Sequence, residues 1–167
     1  MRIILITFIV VFTCFFSCKS KEIQHSTILP KNINQEVLHD LASVFTVSEK
    51  QHLTNKIITY EARTTNEIAI LTVDSISPYQ NPLEYATDVA IFWGIGKKKP
   101  NNGLLLLFSM SDRQMAIATG NVTEKILADE ICQEFINTIL IPKFKTDDYF
   151  EGVNICLDTI MNTWKSP

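Results

Sequence analysis

"NEIAILTVDSISPYQNPLEYATDVAIFWGIGKKKPNNGLLLLFS", Asn66 to Ser109, is the stretch on which the fold turns. Ile68 to Val73 is nearly continuously apolar and rich in β-branched residues, the pattern of a strand covered on both faces. Asn81 then offers an N-cap, Pro82 the first helical position and Glu84 the third, so a helix starts there. Gly94 and Gly96 end it, and "GLLLLFS", Gly103 to Ser109, is a second apolar strand. A helix between two buried strands implies a parallel pair joined by a right-handed crossover.

Downstream, "RQMAIATG" is a third strand, joined to the second through "MSD" in a connection short enough for a hairpin. It adds an antiparallel strand. Upstream, "TVSEKQHLTNKIITYEARTTN" places Ser48 and Gln51 at capping-box spacing, and Leu53, Ile57 and Tyr60 recur at helical intervals. A further helix is expected from Ile126 to Leu140, stopped by Pro142. In the last one, Phe150, Val153, Leu157, Ile160 and Trp164 form a single apolar stripe. The order is helix, strand, helix, strand, strand, helix, helix. It predicts an α/β fold, a three-layer α/β/α sandwich around a small mixed β-sheet, with room for one more short strand.

The 167 residues, 46% of them hydrophobic, suffice for one domain with a real core, expected over 36–167. A formal charge of −3 with dispersed lysines lacks the electrostatic footprint of a nucleic-acid binder. The first residues read differently. Arg2 is followed by an uncharged run from Ile3 to Ser17, about 15 residues, short of the ~20 that span a bilayer as a helix. Residues 1–17 therefore read as a cleaved secretory signal. Ser17 directly before Cys18 resembles the lipobox of bacterial lipoproteins, although Phe15 and Phe16 are bulkier than usual there. On that reading Cys18 is the acylated first residue of the mature chain. Its acyl chains would hold the protein to a membrane at ~0.8 kcal/mol per buried methylene. Residues 18–35 then form a polar tether that sets the domain roughly 20 Å off that membrane, exported to the periplasm or the cell surface. Cys132 and Cys156 remain, both beside core positions, and are expected as free buried thiols.

Gly96-Lys97 is followed by Lys98, and Ile91 stands where a phosphate-binding loop needs its first glycine, so that motif fails. The dinucleotide-binding glycine pattern fails as well, with Lys99 in place of its third glycine. His25, His39 and His52 show no metal-ligand spacing and are expected at the surface. Neither a Gly-x-Ser-x-Gly elbow nor a Cys-x5-Arg arrangement is present. Oxygen chemistry is left: Asp40, Asn101, Asn102, Asn121, Glu124 and Asp129 lie just outside expected sheet elements, and calcium takes six to eight oxygen ligands of these kinds. A parallel crossover brings Asn101, Asn102 and the Gly120–Asp129 segment to one end of the sheet, with Asp74 and Asp112 at the other. Asn-Asn-Gly is equally good turn chemistry, and acids near helix starts are good caps, so both readings stand at this point.

"VLHDLASVFTVSEKQHL", "IAILTVDSI", "EYATDVAIFWGIGKKKPNNGLLLLFSMSDRQMAIATG", "ILADEI" and "IPKFKTDDYFEGV" together resemble the TPM domain, over roughly Glu36 to Trp164. The resemblance implies an α/β/α sandwich, an exported or lumenal location and, in several members, calcium binding at an acidic site on the sheet edge. The family's frequent first Asp matches Asp40, its Asp/Asn-Asn-Gly matches Asn101 to Gly103, and its Leu-x-Asp-like element matches Leu127 to Asp129. The metal set expected here is Asp40, Asn101, Asn102, Glu124 and Asp129. Two departures weaken or reshape it: Asn101 stands where many members carry Asp, and "TGNVTE" replaces the usual Gly-x-Gly. The function this implies is a membrane-tethered, calcium-binding module without enzymatic activity, a monomer acting through a protein partner in the cell envelope. The alternative is a metal-assisted acid phosphatase, an activity attributed to plant members, in which Asp40 activates water and Lys97 to Lys99 attract the phosphate.

Overall fold

The computed structural model describes residues 28–96 and 101–165. The chain divides into two units, Met1–Pro30 and Lys31–Pro167, and every element named here belongs to the second. The expected signal segment, Cys18, the tether up to residue 27 and Lys97 to Lys99 lie outside the described residues.

Four strands form one sheet in the order β1-β2-β3-β4: β1 Leu38–Asp40, β2 Glu67–Val73, β3 Gly103–Ser109 and β4 Gln114–Thr119. β1 and β3 both run parallel to β2, and β4 closes the β3 hairpin antiparallel. The extra short strand that the sequence left room for is β1. Three residues are too few to show a period, and tertiary pairing alone makes them a strand.

All seven β3 residues and six of seven in β2 are buried, which is why both read as unbroken apolar runs. Ile68, Ile70, Leu104, Leu106, Phe108 and Ile117 share one core with helices α1 (Val47–Thr64), α3 (Asp129–Phe135) and α5 (Tyr149–Thr163). Alternation sends Ala69, Leu71, Leu105, Leu107, Ala116 and Ala118 to the opposite face. There α2 (Pro82–Trp93) packs over β3 and β4 with Tyr85, Ala86 and Val89 buried. Each fully buried leucine of β3 contributes roughly 1.5–3 kcal/mol relative to exposure. The sandwich is thus three layers, as expected.

Local chemistry places the helix ends. Asn81 accepts from the Leu83 and Glu84 amides, Pro82 follows, and Gly94 closes α2 at φ 74°. The start of α1 differs from expectation. Its N-cap is Thr46, whose hydroxyl takes the Glu49 amide while the Glu49 carboxylate takes the Thr46 amide, so the capping box lies two residues before Ser48 and Gln51. Leu53, Ile57 and Tyr60 face the core as the spacing predicted. Helix α3 begins at Asp129, because Thr123 to Leu127 is a turn in which the Ile126 and Leu127 amides both bond the Thr123 carbonyl. Pro142 does not stop the chain. A π-helical turn, Ile136–Leu140, intervenes, with the Ile141 amide reaching back to the Ile136 carbonyl, and α4 (Ile141–Phe144) carries Pro142 in its first turn, where a missing N–H costs nothing.

Candidate functional site

Gly96 packs against Gly103, and Asn101 meets the end of β4, where the parallel strands begin. A Cβ on Gly96 would lie 2.6 Å from the Gly103 nitrogen, and one on Gly120 would lie 2.4 Å from the Asn101 oxygen, so both crossings require glycine. Asn101 adopts φ 54°, a left-handed turn conformation that Asn tolerates well. Its carbonyl accepts from the Val122 amide, and the Gly103 carbonyl accepts from Gly120. Asn102 is buried: its carbonyl accepts from the Glu67 amide, and its side-chain nitrogen donates to the Thr65 carbonyl at 2.6 Å.

Among the described residues, this end of the sheet holds three buried oxygens without a hydrogen-bond partner: Asn102 Oδ1, Thr123 Oγ1 and Glu67 Oε1. The other Glu67 oxygen accepts from the Gly96 amide at 2.7 Å. Glu124 lies in the turn after β4 with its amide on the Gly120 carbonyl, and Asp129 opens α3; both are exposed. Asn101, Asn102 and the turn that carries Glu124 thus meet at one end of the sheet, the end the topology predicted for them. Thr123 and Glu67 were not singled out from sequence. A lone carboxylate opening an otherwise apolar strand was the available signal for Glu67, whereas nothing in "NVTEK" marks Thr123 as buried.

Asp40 belongs elsewhere. It pairs with Thr72, whereas Gly103 pairs with Glu67, so 72 − 67 = 5 residues of β2 separate the two levels. At ~3.3 Å per residue that is about 16 Å. The expectation that Asp40 joins the asparagines is therefore corrected: parallel pairing carries it to the opposite end. Its carboxylate, 1% exposed, accepts from the Val44 and Phe45 amides at 2.9 and 3.1 Å and from the Thr72 hydroxyl at 2.5 Å, with Lys50 Nζ at 3.5 Å. That arrangement moors the loop into α1. Three hydrogen bonds, an ion pair and 1% exposure leave Asp40 poorly placed to activate water, as the phosphatase alternative would require.

The same far end carries Asp112. Its carboxyl is held below the usual carboxylate range by the Ser109 hydroxyl, then by the Ile76 amide and the Ser75 hydroxyl. It ties the β3–β4 hairpin to the segment after β2. Of the histidines expected at the surface, His52 is exposed and meets the Phe150 ring edge-on, and His39 is half-buried between the Trp93 ring and Glu36.

Among the described residues no three His, Cys, Asp or Glu side chains gather into a metal cluster. What the sheet end offers, among the described residues, is one carboxylate, one amide and one hydroxyl oxygen without partners, with Glu124 exposed in the turn that follows Thr123 and Asp129 exposed at the start of α3. All are hard oxygen donors of low total charge, which fits a weakly held hard cation and no softer metal.

A family model described as the TPM domain matches residues 38–163. No curated protein matches the chain. Among solved structures, the N-terminal domain of a protein from P. gingivalis is similar at 24% identity, covering 77% of this chain and 82% of that one with a TM-score of 0.70. BA42 from the psychrophilic bacterium Bizionia argentinensis is similar at 18% identity, with 71% and 80% coverage and a TM-score of 0.62. The N-terminal domain of cg2496 from Corynebacterium glutamicum shares 13%, with 80% and 83% coverage and a TM-score of 0.61. At these identities the likeness is one of fold.

Proposed function

The chain belongs to the TPM-domain family, and on that footing we propose that it is a lipid-tethered, non-enzymatic interaction module of the bacterial envelope that takes calcium at the Asn101–Asp129 end of its sheet. One observation carries the cation: Asn102 Oδ1 and Thr123 Oγ1 are buried oxygens without partners at that end. An unpaired buried acceptor costs about 1–3 kcal/mol, a penalty that ligation would relieve. Asn101, Asn102, Thr123, Glu124 and Asp129 are the residues that would hold the ion, and Asp40 leaves the set. Bound calcium would supply charge neutralisation for Glu124 and Asp129. The commitment of Asp40 to three hydrogen bonds and the Lys50 ion pair supports the non-enzymatic reading over acid phosphatase.

With two flanking carboxylates the affinity expected is that of weak extracellular sites, on the order of 10⁻⁴–10⁻³ M. Calcium titrated into the 15N-labelled domain should shift the amides of residues 101–103 and 120–129, and Glu124→Gln with Asp129→Asn should abolish the response. No response at millimolar calcium would overturn the cation. The tether is tested apart from it: Cys18→Ser should move the protein from the membrane to the soluble fraction, and retention on the membrane would remove the lipid anchor.

A further inference from the structure

At the end of the sheet away from the cation residues, a cavity of about 580 Å³ opens between the β3–β4 hairpin and the α4–α5 corner. Its lining is apolar on one side and polar on the other, where Ser109 and Gln114 join the charged rim. Phe108, Phe144 and Tyr149 form a continuous aromatic chain, with ring centroids 4.9 Å and 5.0 Å apart, and Met110, Met115 and Ile141 complete the lining. Apart from buried Phe108, these side chains are only half-buried, so the core stops there without closing over them.

The rim is polar and cationic. Arg113 and Lys145 are exposed on either side and neither has an ion-pair partner among the described residues. The one rim carboxylate, Asp147, accepts from the Tyr149 hydroxyl at 2.6 Å. The neighbouring acid, Asp148, pairs with Lys143 at 3.1 Å. The hydrogen bond to Asp147 raises the Tyr149 hydroxyl's pKa, and the positive charge of Arg113, in the same lining, opposes that weakly. Arg113 and Asp147 both hold positive φ, 52° and 57°, unusual for residues with side chains. Ile141 and Phe144 follow directly on the π-helical turn, a feature concentrated at functional sites.

A cavity of this size that sets an aromatic wall against a few convergent polar groups has the form of a small-molecule site. Two cations without carboxylate partners, set above a hydrocarbon floor, complement a ligand that is apolar at one end and anionic at the other. A guanidinium offers a planar pair of donors that matches a carboxylate. We propose that this cavity binds an apolar carboxylate, its hydrocarbon or aryl body against Phe144 and Tyr149 and its carboxylate at Arg113 and Lys145. The site is independent of the cation and lies at the other end of the sheet.

4-Phenylbutyrate is the probe, and its amide, 4-phenylbutyramide, the control for charge. Titrated into the 15N-labelled full domain, phenylbutyrate should shift amides within 108–115 and 141–149 and leave 101–103 and 120–129 unmoved. The amide should bind roughly tenfold more weakly. Arg113→Gln with Lys145→Gln should remove that preference. Both residues are exposed, so amide dispersion elsewhere in the spectrum reports that the variant is folded. Met115→Trp, which fills the cavity, should abolish both probes' binding, and Arg63→Gln, on the far end of α1, should change neither. Absence of localised shifts at about 10 mM phenylbutyrate, equal affinity for acid and amide, or equal weakening by Arg63→Gln would each overturn the proposal.

Discussion

The Asp40 carboxylate ends β1 with 1% of its side chain exposed, and both of its oxygens are in use. Replacing it with alanine would leave the Val44 and Phe45 amides and the Thr72 hydroxyl without their acceptor, a loss that mutational experience puts at about 2–4 kcal/mol when a charged acceptor is removed. Urea unfolding of Asp40→Ala should therefore show a markedly lower midpoint. Because about 16 Å of strand separates it from Asn102, the calcium response of the folded variant should match wild type. If that response vanished in a fully folded variant, the two ends of the sheet would not be independent. Asp40 also shows why a functional residue is hard to identify from sequence alone: an acid placed just after a strand has the same letter whether it binds a ligand or ties down a loop.

Among the elements, α2 was legible end to end, since Asn81, Pro82 and Gly94 each do locally what their chemistry favours. The start of α1 was read from Ser48 and Gln51, but "TVSEKQ" also holds Thr46 and Glu49 at the same spacing, and that pair makes the box. Tertiary structure chooses between them. The Asp40 carboxylate fixes Val44 and Phe45, which leaves Thr46 as the first residue free to cap. Thr46→Ala should then cost about 1 kcal/mol, whereas Ser48→Ala, inside the helix, should change stability by no more than ~0.5 kcal/mol. Equal losses by thermal or chemical unfolding would contradict this assignment. Pro142 misled for a related reason. A proline forbids a helical hydrogen bond at one nitrogen, and the π-helical turn before it arranges the chain so that this nitrogen falls in a first turn.

For the whole molecule, sheet order and layers could be read because burial on both faces writes itself into long apolar runs, whereas the partnerless oxygens of Asn102 and Thr123 depend on packing that no local pattern encodes. The same packing gives the fold a predictable response to base. Cys132 and Cys156 are free and buried, as their apolar settings predicted. Burial pushes the Cys132 thiol up to about 11, with Asp129 adding to the effect, and pushes Cys156 up to about 12, with Cys132 adding. An unfolded thiol titrates near ~8.5. Below that value both states hold their thiol protons and pH has no leverage through them. Above it the unfolded chain releases protons that the native state retains, so the unfolded state binds fewer and stability falls as pH rises. The loss continues until the native thiols themselves ionise. Tyr60 and Tyr85, also raised by burial, join it only above the ordinary tyrosine value near ~10. Urea midpoints measured from pH ~8 to ~10 should therefore decline. The decline should flatten in Cys132→Ala/Cys156→Ala even though that variant starts from a lower stability. An unchanged slope in the double variant would assign the base sensitivity to other groups. Iodoacetamide at pH ~8.5 gives the kinetic counterpart: both thiols should resist labelling in the native protein and react together once it is unfolded.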